Sequence, residues 1–162
     1  MFEVKYKALS IKQPWAWLTC AGYKDIENRN WKIGRNPRHG QYSSHDIANF
    51  TINLPERIYV HASKKPDSID NEVRGFIADN LEYEQWQRYV AIQDFTYGAI
   101  IGEVDIIDCV TESKSPWFVG KYGFVLANPI LYENPIACKG KLGFFIPELT
   151  EVSVFRLGLL GQ

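Results

Sequence analysis

Residues 98–110 read GAIIGEVDIIDCV, the clearest strand in the chain. β-Branched side chains lose freedom in a helix and pack well on a pleated sheet, so this run admits few other placements. Gly98 and Gly102 fall where a strand would bend tightly or bulge, the device by which small barrels turn corners. Residues 8–11 read as a short first strand, 24–31 (KDIENRNW) as a second and 57–62 (RIYVHA) as a third. Residues 122–132 (YGFVLANPILY) form another, with Pro129 marking a bulge or an edge. In the second strand, period 2 places Asp25, Glu27, Arg29 and Trp31 on one face and Lys24, Ile26, Asn28 and Asn30 on the other.

Helical signals are split among these strands. Pro14 suits a first helical turn because it has no N–H to lose, and Gly22 suits the position just past the helix end. From Pro66 to about Asp94 the pattern predicts two helices broken near Asn80. Val73, Phe76 and Ile77, then Trp86, Tyr89 and Val90, recur at helical spacing, with Glu72, Asp79, Glu82 and Glu84 outside. Residues 32–54 are the longest irregular segment, and a loop of that length is usually functional or disordered. Short bulged strands with helices between them predict an α+β fold, a small β-barrel with flanking helices, rather than a parallel α/β sheet.

A chain of 162 residues fits one compact domain. Its aromatic share, 14%, serves a core or a base-stacking surface equally well. Cys20, Cys109 and Cys138 are odd in number and form no Cys-x-x-Cys pair, which argues against a disulfide framework or a zinc site and for buried thiols in a reducing cytoplasm. Residues 1–10 carry Glu3, Lys5 and Lys7 and no apolar stretch of the signal-peptide kind. No apolar run approaches the roughly 20 residues of a membrane helix, so no membrane partner is expected. Net charge is −1, but its distribution is uneven: residues 1–66 balance at +6, 67–112 at −9 and 113–162 at +2. A locally basic surface is compatible with that pattern, and so is a merely solvated acidic helix pair.

Residues 9–16 (LSIKQPWA), followed by 22–31 (GYKDIENRNW), resemble the opening of ASCH domains, of the PUA-like superfamily. An IHAS-like strand at 59–63, the strand at 98–110 and the YGFVL strand at 122–126 follow in the same order, so the resemblance spans about residues 8–145. It implies a PUA-like barrel with a cleft for RNA or a modified base. No cofactor or metal is expected, and a monomer is the simplest expectation for a state the sequence leaves open.

Residue chemistry fits such a cleft. Lys24 and Arg29 offer donors to a phosphate or a base carbonyl, Arg29 as a planar fork. Glu27 can accept from a base amino group and orient Arg29. An ordinary cross-strand ion pair is the plainer alternative. Gln13 and Trp15 open the first helix, and Trp15 serves as cleft wall or core. Trp31 could stack on a base or plug the core. His61 is a structural hydrogen-bonding group or a proton-transfer residue. Ser63 and Lys64 precede the predicted helix start at Pro66, where N–H groups would favour a phosphate. Trp117 and Tyr122 are the exposed stacking candidates, whereas Phe118 and Phe124 read as core. Lys32, Arg35, Arg38 and His39 could track a nucleic-acid backbone.

Three activities are compatible with this set. The first is a binding module for RNA, a nucleotide or a nucleoside. The second is a hydrolase: some small ASCH proteins resemble amidohydrolases acting on N4-acylated cytidine, others ribonucleases, and Lys24 would match the amidohydrolase lysine. Glu27 then stands where that family has a threonine nucleophile, leaving Lys24 and Glu27 as the catalytic candidates. The third is a protein-interaction module of the coactivator type. No Ser-His-Asp motif, phosphate-binding glycine loop or metal-ligand spacing occurs.

Overall fold

The computed structural model describes residues 4–33 and 52–149. In chain order the elements are β1 (Lys7–Ile11), α1 (Trp15–Cys20), β2 (Ile26–Arg29), β3 (Glu56–Ala62), α2 (Asn71–Asp79), α3 (Tyr83–Val90), β4 (Ala99–Val110), β5 (Tyr122–Ala137) and β6 (Phe144–Phe145). The strands form one six-stranded mixed sheet in the order β2-β5-β4-β3-β1-β6. Only β1 and β3 run parallel; the other pairs are antiparallel. The sheet curls. Arg29, on edge strand β2, donates from Nη2 to Ser10 O of β1 at 2.7 Å, and Trp31 lies edge-on to Phe144 of the opposite edge strand at 5.6 Å. The α+β class and the curled, strand-rich architecture agree with the sequence reading.

Bulges produce the curl. The β4–β5 register slips at three places, between Ile100 and Gly102, Glu103 and Asp105, and Ile106 and Asp108. Asn128, in left-handed backbone at φ 51°, and Pro129 sit at the second slip. Gly102 is needed for close approach: a Cβ there would lie 2.7 Å from Cys20 Sγ and would run into the Ile130 carbonyl. α1 thus rests directly on the sheet at this glycine. β5 runs five residues past the predicted end at 132, to Ala137.

The concave face of the sheet holds one core, with Leu9, Ile11, Val60, Val104, Ile106 and Phe124 closed over by Ala16 and Cys20 of α1. Ala8, Tyr59, Ile100, Ile136 and Phe145 pack on the other face. A third cluster joins Leu18 and Ile26 to Ile77, Tyr89 and Trp117, and so anchors α2 and α3 beside β2. The predicted stripes supply this cluster, except that Val90 is exposed.

Other sequence expectations need correction. Helix α2 starts at Asn71, not Pro66, because Asp70 caps it by accepting from Val73 N at 2.9 Å. Ser63 and Lys64 therefore do not stand at a helix start, and helix N–H groups cannot hold a phosphate beside them. Residues 34–51 of the long irregular segment lie outside the described residues, as do Arg35, Arg38 and His39. Of its ends, Ile33 and Ile52 are buried in the concave core. No helix among the described residues is long and apolar enough to cross a membrane.

Candidate functional site

The turn from α1 into β2 builds the floor of a cavity. Tyr23 N and Lys24 N both bond to Leu18 O, at 2.9 and 3.0 Å, and turn the chain sharply after Gly22, whose φ of +83° suits glycine. Lys24 therefore precedes the strand instead of belonging to it, and the period-2 expectation that it faces away from Glu27 fails. Its side chain folds back, so that Nζ donates to Ile26 O and lies 3.4 Å from Glu27 Oε2. Glu27 Oε1 accepts from Arg29 Nε at 3.0 Å, two residues on along the same strand face.

The first two members of this cation–carboxylate–cation row are nearly dry, and Arg29 is half-buried. Lys24 is 5% exposed and Glu27 7%. Burial lowers the Lys24 ammonium pKa below its ordinary value, against the opposing pull of Glu27. The ammonium also lies over the Trp15 ring, 5.9 Å from its centroid. Trp15 is held in turn by donation from Nε1 to Asp67 Oδ2 at 2.8 Å.

Lys24, Glu27 and Arg29 share a cavity of about 500 Å³ with Trp15, Trp117 and Phe76. Lys12, Ser63, Asp67 and Lys141 also line it, so four cations face two carboxylates. The positive excess, the two indoles and the dry floor together suit a planar ligand with polar edges or an anionic group. Exposed Val119 and Leu142 stand at the wall.

Of the residues singled out from sequence, Trp15, Lys24, Glu27, Arg29, Ser63 and Trp117 meet at this cavity. Trp117 is not exposed as expected: only 4% of it is accessible, because its ring packs edge-on against Phe76 at 5.6 Å. Gln13, Lys64, Tyr122 and His61 are not among the lining residues. Gln13 is buried and ties α1 down, its Oε1 accepting from Trp17 N and its Nε2 donating to Thr96 O. Lys64 is exposed, and Tyr122 carries Lys121 over its ring at 5.4 Å. Trp31 plugs the core between Phe124 and Phe144.

His61 is buried on the convex side. Its Nε2 lies 2.7 Å from Cys138 O, a carbonyl that can only accept, so Nε2 carries the proton and Nδ1 accepts from Ser10 Oγ at 3.0 Å. Burial lowers its pKa and keeps the ring neutral. Gly140 seals the pair: a Cβ there would fall 2.7 Å from His61 Cε1 and 2.9 Å from Ser10 Oγ. The geometry is that of an internal tie between β1, β3 and the segment after β5.

Asn28, Asp67, Phe76, Lys12 and Lys141 were missed as site residues. Asn28 lies inside the motif quoted above, but nothing in the sequence joins Asp67 to Trp15 across 52 positions. Among the described residues, no group of three His, Cys, Asp or Glu side chains could hold a metal ion. The chain matches no protein-family model and no curated protein.

Proposed function

We propose that this chain is a PUA-like domain of the ASCH type whose cavity holds a nucleotide, free or as part of an RNA strand. The reading rests on one observation above all: a row of buried Lys24, buried Glu27 and half-buried Arg29 forms the floor of a cavity walled by Trp15 and Trp117. Among the described residues, Arg29 spends Nε on Glu27 and one Nη2 proton on Ser10 O, which leaves the donors of Nη1 for a ligand carbonyl or phosphate. Each Glu27 oxygen has a second lone pair with which to accept from a base amino group. The half-buried Trp15 indole supplies stacking, and Lys12 and Lys141 supply cations for a phosphate.

Calorimetric titration with cytidine 5′-monophosphate and a short single-stranded RNA tests this, in a salt series. Affinity should fall as salt rises. Lys24→Met should weaken binding about tenfold, the cost of one charge-assisted contact. Absence of binding, or binding indifferent to both salt and Lys24, would exclude the reading.

One observation favours hydrolysis as a second reading: burial lowers the pKa of the Lys24 amine beside a carboxylate 3.4 Å away. A neutral amine can take a proton from water as that water adds to an acyl carbonyl, and return it to the departing amine. Acetate release from N4-acetylcytidine, abolished by Lys24→Met, is the expected result; no release at high enzyme concentration would discard this reading.

A further inference from the structure

The 24–29 segment carries a second set of polar side chains that do not belong to the cavity floor. Asp25 and Asn28 both reach into the irregular segment 111–121 between β4 and β5. Asp25 Oδ1 accepts from Ser115 Oγ at 2.5 Å, and Ser115 Oγ accepts from Trp117 N at 3.3 Å. Asn28 Nδ2 donates to Trp117 O at 2.8 Å, while Asn28 Oδ1 accepts from Val119 N at 3.0 Å. The main chain of Trp117 is thus held on its N–H side through Asp25 and on its carbonyl side by Asn28. Segment 111–121 contains no helix or strand of its own, and Val119 and Gly120 are exposed. Packing of Trp117 in the third cluster holds its ring, and these side-chain bonds place its main chain.

The chemistry at Asn28 is specific. The segment presents a carbonyl and an N–H two residues apart, and a primary amide offers a matching donor and acceptor. A carboxylate keeps the acceptor, loses the donor and faces the Trp117 carbonyl with a like partial charge. Alanine offers neither. Asn28 also borders the cavity itself, between Glu27 and Arg29.

We propose that Asn28 is a positioning residue that fixes the Trp117 wall relative to the charged floor and so sets which planar ligands the cavity accepts. The tether stands on geometry alone; its consequence for selectivity rests on the nucleotide reading given above. The test compares the parent protein with Asn28→Ala and Asn28→Asp, each checked for global stability by urea unfolding. Amide hydrogen exchange is followed at Val119, and affinities are measured for cytidine and adenosine 5′-monophosphates.

In Asn28→Ala the Val119 amide should exchange several-fold faster after correction for global stability, and the ratio of the two affinities should move towards one. In Asn28→Asp the Val119 amide should stay protected while the ratio still shifts, because only the bond to the Trp117 carbonyl is lost. Unchanged Val119 exchange in Asn28→Ala overturns the tether, whatever binds. Faster exchange with an unchanged ratio overturns the selectivity role. If the parent protein binds neither nucleotide, the selectivity role falls with the nucleotide reading, and Val119 exchange alone decides the tether.

Discussion

A lysine as enclosed as Lys24 needs partners for its ammonium, and the structure provides a carbonyl, a carboxylate and an indole face. Glu27 is the pivot, since it stands between two cations and its removal would leave both short of a counter-charge. Breaking such a buried pair from one side typically costs about 3–5 kcal/mol, more than the pair contributes against an apolar replacement. His61 shows the other fate of a buried titratable group. Its pKa is depressed in the folded protein, so the unfolded chain takes up a proton first as pH falls through the ordinary value of 6.5. Stability should decline below that pH until the folded ring also protonates. Urea unfolding between about pH 6.5 and 5, above the usual carboxylate range, should show this decline in the parent protein and a shallower one in His61→Gln. Equal slopes would mean that His61 is not held neutral.

At the scale of elements, two glycines carry opposite expectations. Gly75 lies in the exposed interior of α2, and a Cβ there would meet nothing within 4 Å. Gly75→Ala should raise stability by roughly 0.5–1 kcal/mol, because alanine loses less backbone freedom on entering the helix. Gly102 sits where α1 presses on β4, and its Cβ would meet Cys20 Sγ and the Ile130 backbone. Gly102→Ala should lower stability by about 1–3 kcal/mol, the cost of forcing atoms into a packed interface. Denaturant midpoints decide both, and a neutral Gly102→Ala would mean that α1 can lift from the sheet. The same elements explain where reading from sequence stops. Apolar spacing locates α2 and α3, but not the start of α2, because capping by Asp70 begins the helix at Asn71, five residues after Pro66. Alternation paired Glu27 with Arg29, yet misplaced Lys24, because a turn interrupts the strand period just before Ile26.

Across the whole molecule, Arg29 links edge strand β2 to β1, four strands away in the sheet, through Ser10 O while its Nε holds Glu27. Lysine in its place keeps the charge but cannot span both partners with a planar fork. Arg29→Lys should lose about 2 kcal/mol of stability, in the range of a charge-assisted hydrogen bond, as measured by urea unfolding. An unchanged midpoint would show that main-chain pairing and the aromatic contacts of Trp31 suffice to hold the curl.

Sequence alone determined the elements whose cause is local: the β-branched strand at 98–110, the helical stripes of α2 and α3, the glycine after α1 and the Glu27–Arg29 face. Those features depend on covalent geometry and side-chain period, which a few neighbouring residues fully express. Tertiary structure decided what is held together over long separations. It set Trp15 against Asp67, brought Trp117 to β2 through Asn28, and withdrew His61 to the convex side. Such contacts arise only when bulges curl the sheet and helices press onto it, and no periodicity in one segment records where another segment comes to rest.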